Sequence, residues 1–219
     1  MSVPARLPAR RPDRRRLRTR GAILDAGITL FAARPMDSVS IDDITEAADI
    51  AKGSFYNHFK DKDELAREVS RQVRHEVERR VTEANRDIAD PAVRVARALC
   101  IFTLFAMEKP DRARALFRLH SGATLPNAPS NIGVRNDLDA GLASGRFAHF
   151  ELQSGLMAVI GTVQVALSRA LDTSAPELDH RNIADLAAVL LRGLGLSSAA
   201  AKKAAAQAAT IFRQPRSAQ

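Results

Sequence analysis

The sequence of 219 residues contains no tryptophan, one tyrosine and one cysteine. The single cysteine, Cys100, excludes an intramolecular disulfide and is typical of a chain in the reducing cytoplasm. No apolar segment approaches the ~20 residues needed to cross a membrane. Residues 21–33, which follow several arginines, faintly resemble an export signal, but Asp25 interrupts them and their apolar residues fall at helical spacing. We therefore expect a cytoplasmic protein that does not bind a membrane.

Sequence motifs of common enzyme classes are also missing. The chain has no glycine-rich phosphate loop, no HExxH or paired-cysteine metal pattern, and no GxSxG serine elbow. Its five histidines are well separated in sequence, although a spatial cluster stays open at this point: His58, His75, His120, His149 and His180. The sequence therefore disfavours an enzyme and predicts neither a metal site nor a cofactor.

No segment alternates apolar and polar residues as a half-buried strand does, so we predict an all-α protein. An N-terminal three-helix unit is expected over residues 17–65. Residues 66–219 form a second, helical domain that starts with a long linking helix. Leu65, Val69, Val73, Val77 and Val81 recur every fourth residue on that helix, as a narrow seam on a charged rod ending near 89–90, before a proline.

Positive charge is concentrated at the N-terminus. Residues 1–20 contain eight arginines and one acidic residue, which gives them +7 of the net charge of +8. With three prolines and few apolar residues, residues 1–16 are predicted to form a disordered basic arm. Arg14, Arg15, Arg16 and Arg18 are candidates for contacts with DNA phosphates or the minor groove. A solubilising tail that never touches DNA is the alternative.

Two short helices joined by a tight turn are predicted between Ser40 and Leu65. Ser40 and Asp43 have the spacing of a capping box, and Val39 and Ile44 that of a hydrophobic staple. After a break at residues 49–50, a second helix is expected over residues 51–59. This arrangement is the outline of a helix-turn-helix DNA-binding motif.

One face of the second helix is expected to contact DNA. Phe55 and Phe59 share the core side, and Gly53 leaves the opposite face without bulk, at a cost of roughly 1 kcal/mol against alanine. Close approach to DNA would explain that glycine, with lysines on the flanks against phosphates. An ordinary solvated helix pair is the alternative. The predicted DNA-binding residues are Ser40, Ile50, Ala51, Lys52, Gly53, Ser54, Tyr56, Asn57, His58, Lys60 and Lys62.

Residues 18–65 resemble the TetR family of bacterial transcriptional regulators. The shared residues are Ile23, Leu24, Ala26, Leu30, Phe31, Ser40, Ile44, Ala47, Ala48, the segment 52–59, Lys62 and Leu65. The resemblance implies that Ser54, Tyr56, Asn57 and His58 belong to the recognition helix. It also implies that three lysines lie against the DNA backbone: Lys52, Lys60 and Lys62.

Three residues depart from the family pattern. Pro35 replaces a glycine after the first helix, but it still disfavours helical geometry at the preceding residue. Asp49 replaces the glycine of the turn and tolerates left-handed geometry, so the turn is expected to survive. Ala51 replaces a serine or threonine, which removes a hydroxyl near the DNA and changes the expected sequence preference.

In this family the second domain binds a small ligand and forms the dimer. The candidate ligand pocket consists of Phe102, Thr103, Phe105, Met107, Phe117, Phe147, Phe150 and Met157. A largely apolar ligand is expected because only Thr103 supplies a polar group in the central apolar run, with Arg118, His120 and His149 as possible neighbours. The candidate dimer interface consists of Gly155, Ala158, Gly161, Ala187, Ala188 and Leu191. For both sets, ordinary packing inside one subunit is the alternative.

The sequence therefore predicts a transcriptional repressor. It would bind a palindromic operator as a homodimer, because one recognition helix covers only a half-site. A small ligand would release it by changing the separation of the two recognition helices. The alternative is a nonspecific nucleic-acid-binding protein driven by the arginine-rich arm.

Overall fold

The computed structural model describes residues 14–119, 131–174 and 178–213, and all regular structure in these ranges is helical. This confirms the predicted all-α fold. The helices are α1 (Arg14–Ala33), α2 (Ile41–Ala47), α3 (Lys52–Tyr56), α4 (Lys62–Ala84), α5 (Pro91–Glu108), α6 (Pro110–Arg118), α7 (Ile132–Ala143), α8 (Leu152–Leu171), α9 (His180–Gly193) and α10 (Ser198–Ala209).

Local signals set the boundaries of the first helices. Helix α1 ends at Ala33, before Pro35, as predicted. The capping box at the start of α2 is complete: the Ser40 hydroxyl accepts from the Asp43 amide, and the Asp43 carboxylate accepts from the Ser40 amide. Asp49 has a φ of 51°, so the turn after α2 uses the left-handed geometry expected of this residue.

Helix α4 is shorter than predicted. It ends at Ala84, not near residues 89–90, because Asn85 terminates it and the chain turns back through a hydrogen bond from the Ile88 amide to the Asn85 carbonyl. At its start, Asp61 accepts from the Glu64 amide. The Glu64 carboxylate reaches back to the Lys60 amide, one residue before the cap.

The apolar seam of α4 is buried along most of its length. Leu65, Val69, Val73 and Val77 have no exposed surface, and Val81 is partly buried. Around this seam, one continuous core joins α1, α2 and α3 to α5, α6 and the end of α8. Helix α4 is therefore not an isolated rod, because the N-terminal unit shares its core with the next helices.

A second core surrounds the first half of α5. Val95, Leu99 and Cys100 pack there with residues of α7, α8, α9 and α10. Phe102 and Met107 are only partly buried, so α5 is not enclosed on all sides. The open side of α5 borders the cavity described below.

Helix α8 is unusually apolar for its degree of burial. In the described ranges it is the one helix whose length and composition would allow a membrane crossing, although no such segment was predicted from the sequence. Only 28% of its most apolar window is buried within the chain. Most of the remainder is half-buried, and its exposed apolar residues are Met157, Ala158 and Val165.

Candidate nucleic-acid interface and internal cavity

The predicted recognition helix is short. Helix α3 spans Lys52–Tyr56, and the chain turns at residues 57–58, so the expected helix over 51–59 is too long. Phe55 and Phe59 are buried as predicted and anchor the segment in the core. The exposed residues are Ala51, Lys52, Gly53, Tyr56, Asn57 and Lys60.

Four other predicted contact residues are partly buried, and Lys62 among them is described below. Ile50, expected on the outward face, packs partly against the core. Ser54 is half-buried at the edge of the exposed face. Burial, aided by the positive charges of Arg16 and Arg20, holds the pKa of His58 below its ordinary value. His58 is therefore neutral at pH 7 and suited to hydrogen bonding, not to charge pairing with a phosphate.

Gly53 is not required by the packing of the chain. A Cβ atom added at this position would meet nothing within 4 Å. Its backbone geometry is helical, which alanine also adopts. Within the described residues, nothing therefore explains why this exposed helical position lacks a side chain.

The three predicted phosphate-binding lysines have different environments. Lys60 is exposed. The Lys52 ammonium lies 2.7 Å from the Asp42 carboxylate, which raises the pKa of this lysine. The Lys62 ammonium donates to the backbone carbonyls of Met36 at 2.8 Å and Val39 at 2.7 Å. Lys62 thus holds the segment that leads into α2, a role that its sequence position did not reveal.

The basic arm is shorter than predicted. Helix α1 begins at Arg14, so residues 14–16, expected to be disordered, are helical, and residues 1–13 lie outside the described residues. The four arginines predicted to contact DNA are exposed on the first turns of this helix: Arg14, Arg15, Arg16 and Arg18.

Arg20, in contrast, belongs to an internal contact between α1 and α4. Its guanidinium is 2.8 Å from the Glu68 carboxylate and lies over the Phe59 ring, 5.1 Å from the ring centroid. Arg71 makes a second pair with Glu68 at 2.6 Å. The hydrogen bonds from Arg71 and then Arg20 lower the pKa of Glu68 to about 2. This contact fixes the position of α1 beside the recognition segment.

A cavity of about 400 Å³ lies among α4, α5, α6, α7 and α8. Of the predicted pocket residues, only Phe102 and Phe117 line it. Its apolar walls also include Val81, Val95, Leu116, Ile132, Val134, Val159, Ile160, Val163 and Leu167.

The other predicted pocket residues lie elsewhere. Thr103 is buried and its hydroxyl donates to the Leu99 carbonyl at 2.9 Å, while Phe105 is buried beneath the Arg80 guanidinium. Met157 is 62% exposed. The cavity lining also lacks Met107, Phe147 and Phe150. The rings of Phe147 and Phe150 fill the space over glycines of α7 and α8.

The cavity is more polar than the sequence predicted. Arg94 donates to Asp137 at 2.6 Å, and Arg74 lies 3.7 Å from Glu78. Burial raises the pKa of both Asp137 and Glu78 above the ordinary range. Sequence reasoning missed these residues because charged helical positions normally face solvent, and only the adjacency of Arg74 and Glu78 to the α4 seam could have indicated them.

The predicted dimer residues mostly face the interior of their own subunit. Ala187, Ala188 and Leu191 are buried in the second core, and Gly155 is covered by the Phe150 ring. Ala158 is exposed and Gly161 partly so. The exposed large apolar residues of these helices are Met157, Val165 and Val189, at 62%, 67% and 65% exposure. The exposed apolar surface of α8 and α9 is therefore offset from the predicted set.

Within the described residues, no group of three or more histidine, cysteine, aspartate or glutamate side chains could hold a metal ion. Cys100 is buried, and burial raises the pKa of its thiol to about 12.

Comparison with known proteins assigns both parts of the chain. Residues 23–69 match the bacterial regulatory proteins of the tetR family, and residues 90–207 match the tetracyclin repressor-like C-terminal domain. The chain belongs to the TetR family. The resemblance found in residues 18–65 is thereby confirmed and extends to the C-terminal helices.

Individual curated relatives match over shorter parts of the chain. The transcriptional repressor DhaR of Mycobacterium sp. strain GP1 is 33% identical over 72 residues, which are 33% of this chain and 36% of DhaR. The regulator AcrR of Shigella flexneri is 38% identical over 61 residues, which are 28% of each chain. The aligned stretches thus span about a third or less of these curated relatives.

Two solved structures match nearly the whole chain. RolR, crystallised with resorcinol, is 27% identical with a TM-score of 0.58, covering 87% of this chain and 94% of RolR. A gamma-butyrolactone receptor is 17% identical with a TM-score of 0.68, covering 93% of this chain and 100% of the receptor, and this likeness concerns the fold alone.

The Arg20–Glu68–Arg71 contact predicts a pH-dependent stability for this TetR-family protein. Glu68→Gln is expected to lower the free energy of unfolding at pH 7 by about 1–2 kcal/mol, less than the full pKa shift implies because Arg71 is mostly exposed. Because the folded-state pKa is depressed, the loss should be constant above the ordinary pKa of 4.5 and shrink as the pH falls towards 2. Urea unfolding at pH 7 and pH 3 measures this.

Glu83→Gln serves as the control, because Glu83 forms an exposed pair with Arg79 on the same helix. Its effect should stay below about 0.5 kcal/mol at both pH values. An equal loss for Glu68→Gln at pH 7 and pH 3 would contradict the proposed ionic origin.

Proposed function

We propose that this protein is a transcriptional repressor that binds a palindromic operator as a homodimer in the cytoplasm. One observation carries the proposal: α3 exposes a small, polar face beside a fixed core anchor at Phe55, within the segment that matches the family's DNA-binding region. A helix presented in this way fits the major groove, where base edges are read.

The contacts divide by chemistry. Base edges would be contacted by the exposed face of the recognition segment. This face begins at Ala51 and contains Gly53, Ser54, Tyr56 and Asn57. His58, being neutral, would act as a hydrogen-bonding group. Phosphates would be contacted by Lys52, Lys60, the Ser40 end of α2 and the exposed arginines of α1, whereas we assign Lys62 and Ile50 to the fold.

The rival proposal is nonspecific binding driven by charge. The exposed arginines at the start of α1 favour it, because phosphate neutralisation alone gives affinity without sequence preference.

Competition between operator and random duplex separates the two proposals. Fragments captured from genomic DNA by the full-length protein should contain a palindrome, bound at least ~10³-fold more tightly than random duplex at the same salt concentration. Equal affinity for both duplexes would leave the charge-driven binder as the better description.

Gly53→Ala tests the recognition face directly. Alanine is favoured over glycine in a helix and has open space here, so stability should rise by about 0.5 kcal/mol. Operator affinity should nevertheless fall about tenfold, because the added methyl group prevents close approach to the bases. Gly133→Ala is the matched control, since it is also the second residue of its helix and also has open space. If both variants bound operator like the unaltered protein, close approach at Gly53 would be refuted.

For the homodimer, we propose the exposed apolar side of α8 and α9 as the interface. Met157, Ala158, Gly161 and Val165 lie on that side of α8, and Val189 lies on α9. A second copy is the occupant that a two-fold operator requires. Pairing would bury the apolar surface that α8 leaves exposed in one subunit.

Val165→Glu combined with Val189→Glu is expected to shift the protein to monomers in sedimentation at micromolar concentration. Both side chains are largely exposed in one subunit, so the fold of each subunit should be retained by circular dichroism. Gln207→Glu, an exposed position on α10, adds charge outside the proposed interface and should leave the dimer intact. A dimer that persists in the double variant would place the interface elsewhere.

We also propose that the cavity binds a small-molecule effector. RolR has been crystallised with resorcinol, which supports an effector role for the corresponding domain here. Helix α6 connects the cavity with the N-terminal unit. Its residues Leu116 and Phe117 line the cavity. Its Arg112 pairs with Glu76 of α4 at 3.0 Å and lies 3.8 Å from Asp25 of α1. An effector that moves α6 would therefore change the position of α1, and with it the separation of the recognition helices.

A further inference from the structure

An ion pair joins the first turns of α2 and α3 on the exposed side of the helix-turn-helix. The Asp42 carboxylate lies 2.7 Å from the Lys52 ammonium, and the two side chains are 71% and 55% exposed. Asp42 is the second residue of α2, and Lys52 is the first residue of α3. The pair therefore spans the turn between the two helices, at the N-terminal end of the recognition helix.

The two charges have opposite relations to their own helices. Asp42 lies in the first turn of α2, where the helix dipole stabilises a negative charge. Lys52 lies at the same end of α3, where the dipole disfavours a positive charge, and Ala51 supplies no side-chain cap there. The hydrogen bond to Asp42 raises the pKa of Lys52. Asp42 thus compensates an ammonium group that its own helix does not stabilise.

Lys60, at the other end of the recognition segment, has a different environment. Its side chain is exposed, and its backbone amide donates to the Glu64 carboxylate. Within the described residues, its ammonium forms no ion pair. The two lysines therefore approach DNA differently, because Lys52 already has an anionic partner and Lys60 does not.

This difference determines what each lysine contributes to charge-driven binding. Affinity for DNA of any sequence comes from phosphates neutralised and counterions released, at about 0.9 in log-log salt slope for each phosphate. Lys52 and Asp42 together carry no net charge towards a duplex. To contact a phosphate, Lys52 would have to leave Asp42, which places an unpaired carboxylate beside the DNA backbone. Exchanging one anionic partner for another therefore adds little affinity.

We propose that on DNA without an operator Lys52 stays paired with Asp42 and contacts no phosphate, so that Asp42 limits charge-driven binding at this end of α3. The assignment rests on the DNA-binding role of α3, and it needs neither the proposed palindrome nor the proposed dimer. Lys60 and the exposed arginines of α1 then account for binding to random sequence. A phosphate contact of Lys52 is confined to the operator complex, where base contacts hold α3 in the major groove.

Salt titration of the full-length protein with random duplex tests the assignment. Lys52→Met should leave both the affinity and the salt slope unchanged. Asp42→Asn frees the ammonium, so it should tighten binding about threefold, as expected for an exposed ion pair, and steepen the slope by about 0.9. Adding Lys52→Met to Asp42→Asn should reverse both changes.

Two exposed residues of the same unit supply controls. Lys60→Met should make the slope shallower by about 0.9, which shows that loss of one lysine contact is measurable. Glu46→Gln removes the same charge as Asp42→Asn from an exposed position one turn further along α2, and it should leave the slope unchanged. All four positions are exposed, so circular dichroism should show an unaltered fold.

A shallower slope for Lys52→Met alone would overturn the proposal, because it would mean that Lys52 contacts a phosphate despite Asp42. Tighter binding of Asp42→Asn that persists in the double variant would also overturn it, since the carboxylate would then act by repelling DNA directly. These measurements use random duplex only, so their failure is distinguishable from failure of the operator competition assay.

Discussion

Burial of one side of α4 is the constraint on which the rest of the structure depends. Leu65, Val69, Val73 and Val77 are fully buried between the N-terminal helices and helices α5 and α6. Because one core contains both sets of helices, the core of the N-terminal unit is continuous with that of α5 and α6. Packing with the C-terminal helices therefore sets the position of the N-terminal unit, which a flexible linker would not do.

Local features were predictable from the sequence because they depend on a few neighbouring residues. The capping box at Ser40, the helix end before Pro35 and the left-handed turn at Asp49 all follow from backbone chemistry within four residues. The roles of Lys62 and Arg20 depend on groups more than 20 residues away in sequence. No local pattern distinguishes these two side chains from solvated cations.

The residues that line the cavity were even harder to predict from local sequence. Aromatic and methionine residues were natural candidates for its walls, yet Phe105 and Phe147 fill cores and Met157 faces outward. The polar lining comes from Arg74, Glu78, Asn85 and other residues whose surroundings depend on how the helices around the cavity are arranged beside α4. Packing of helices distant in sequence decides whether a charged residue faces water or an internal space.

The short recognition helix has an evolutionary consequence. Of the five residues in α3, only Phe55 is buried, and Gly53 has free space around it. Changes at the exposed positions remove at most surface contacts, such as the Lys52–Asp42 ion pair, so they alter folding free energy by small amounts. Operator preference can therefore diverge among descendants of this protein through single substitutions, whereas α4 and α6, packed on several sides, are much less free to vary.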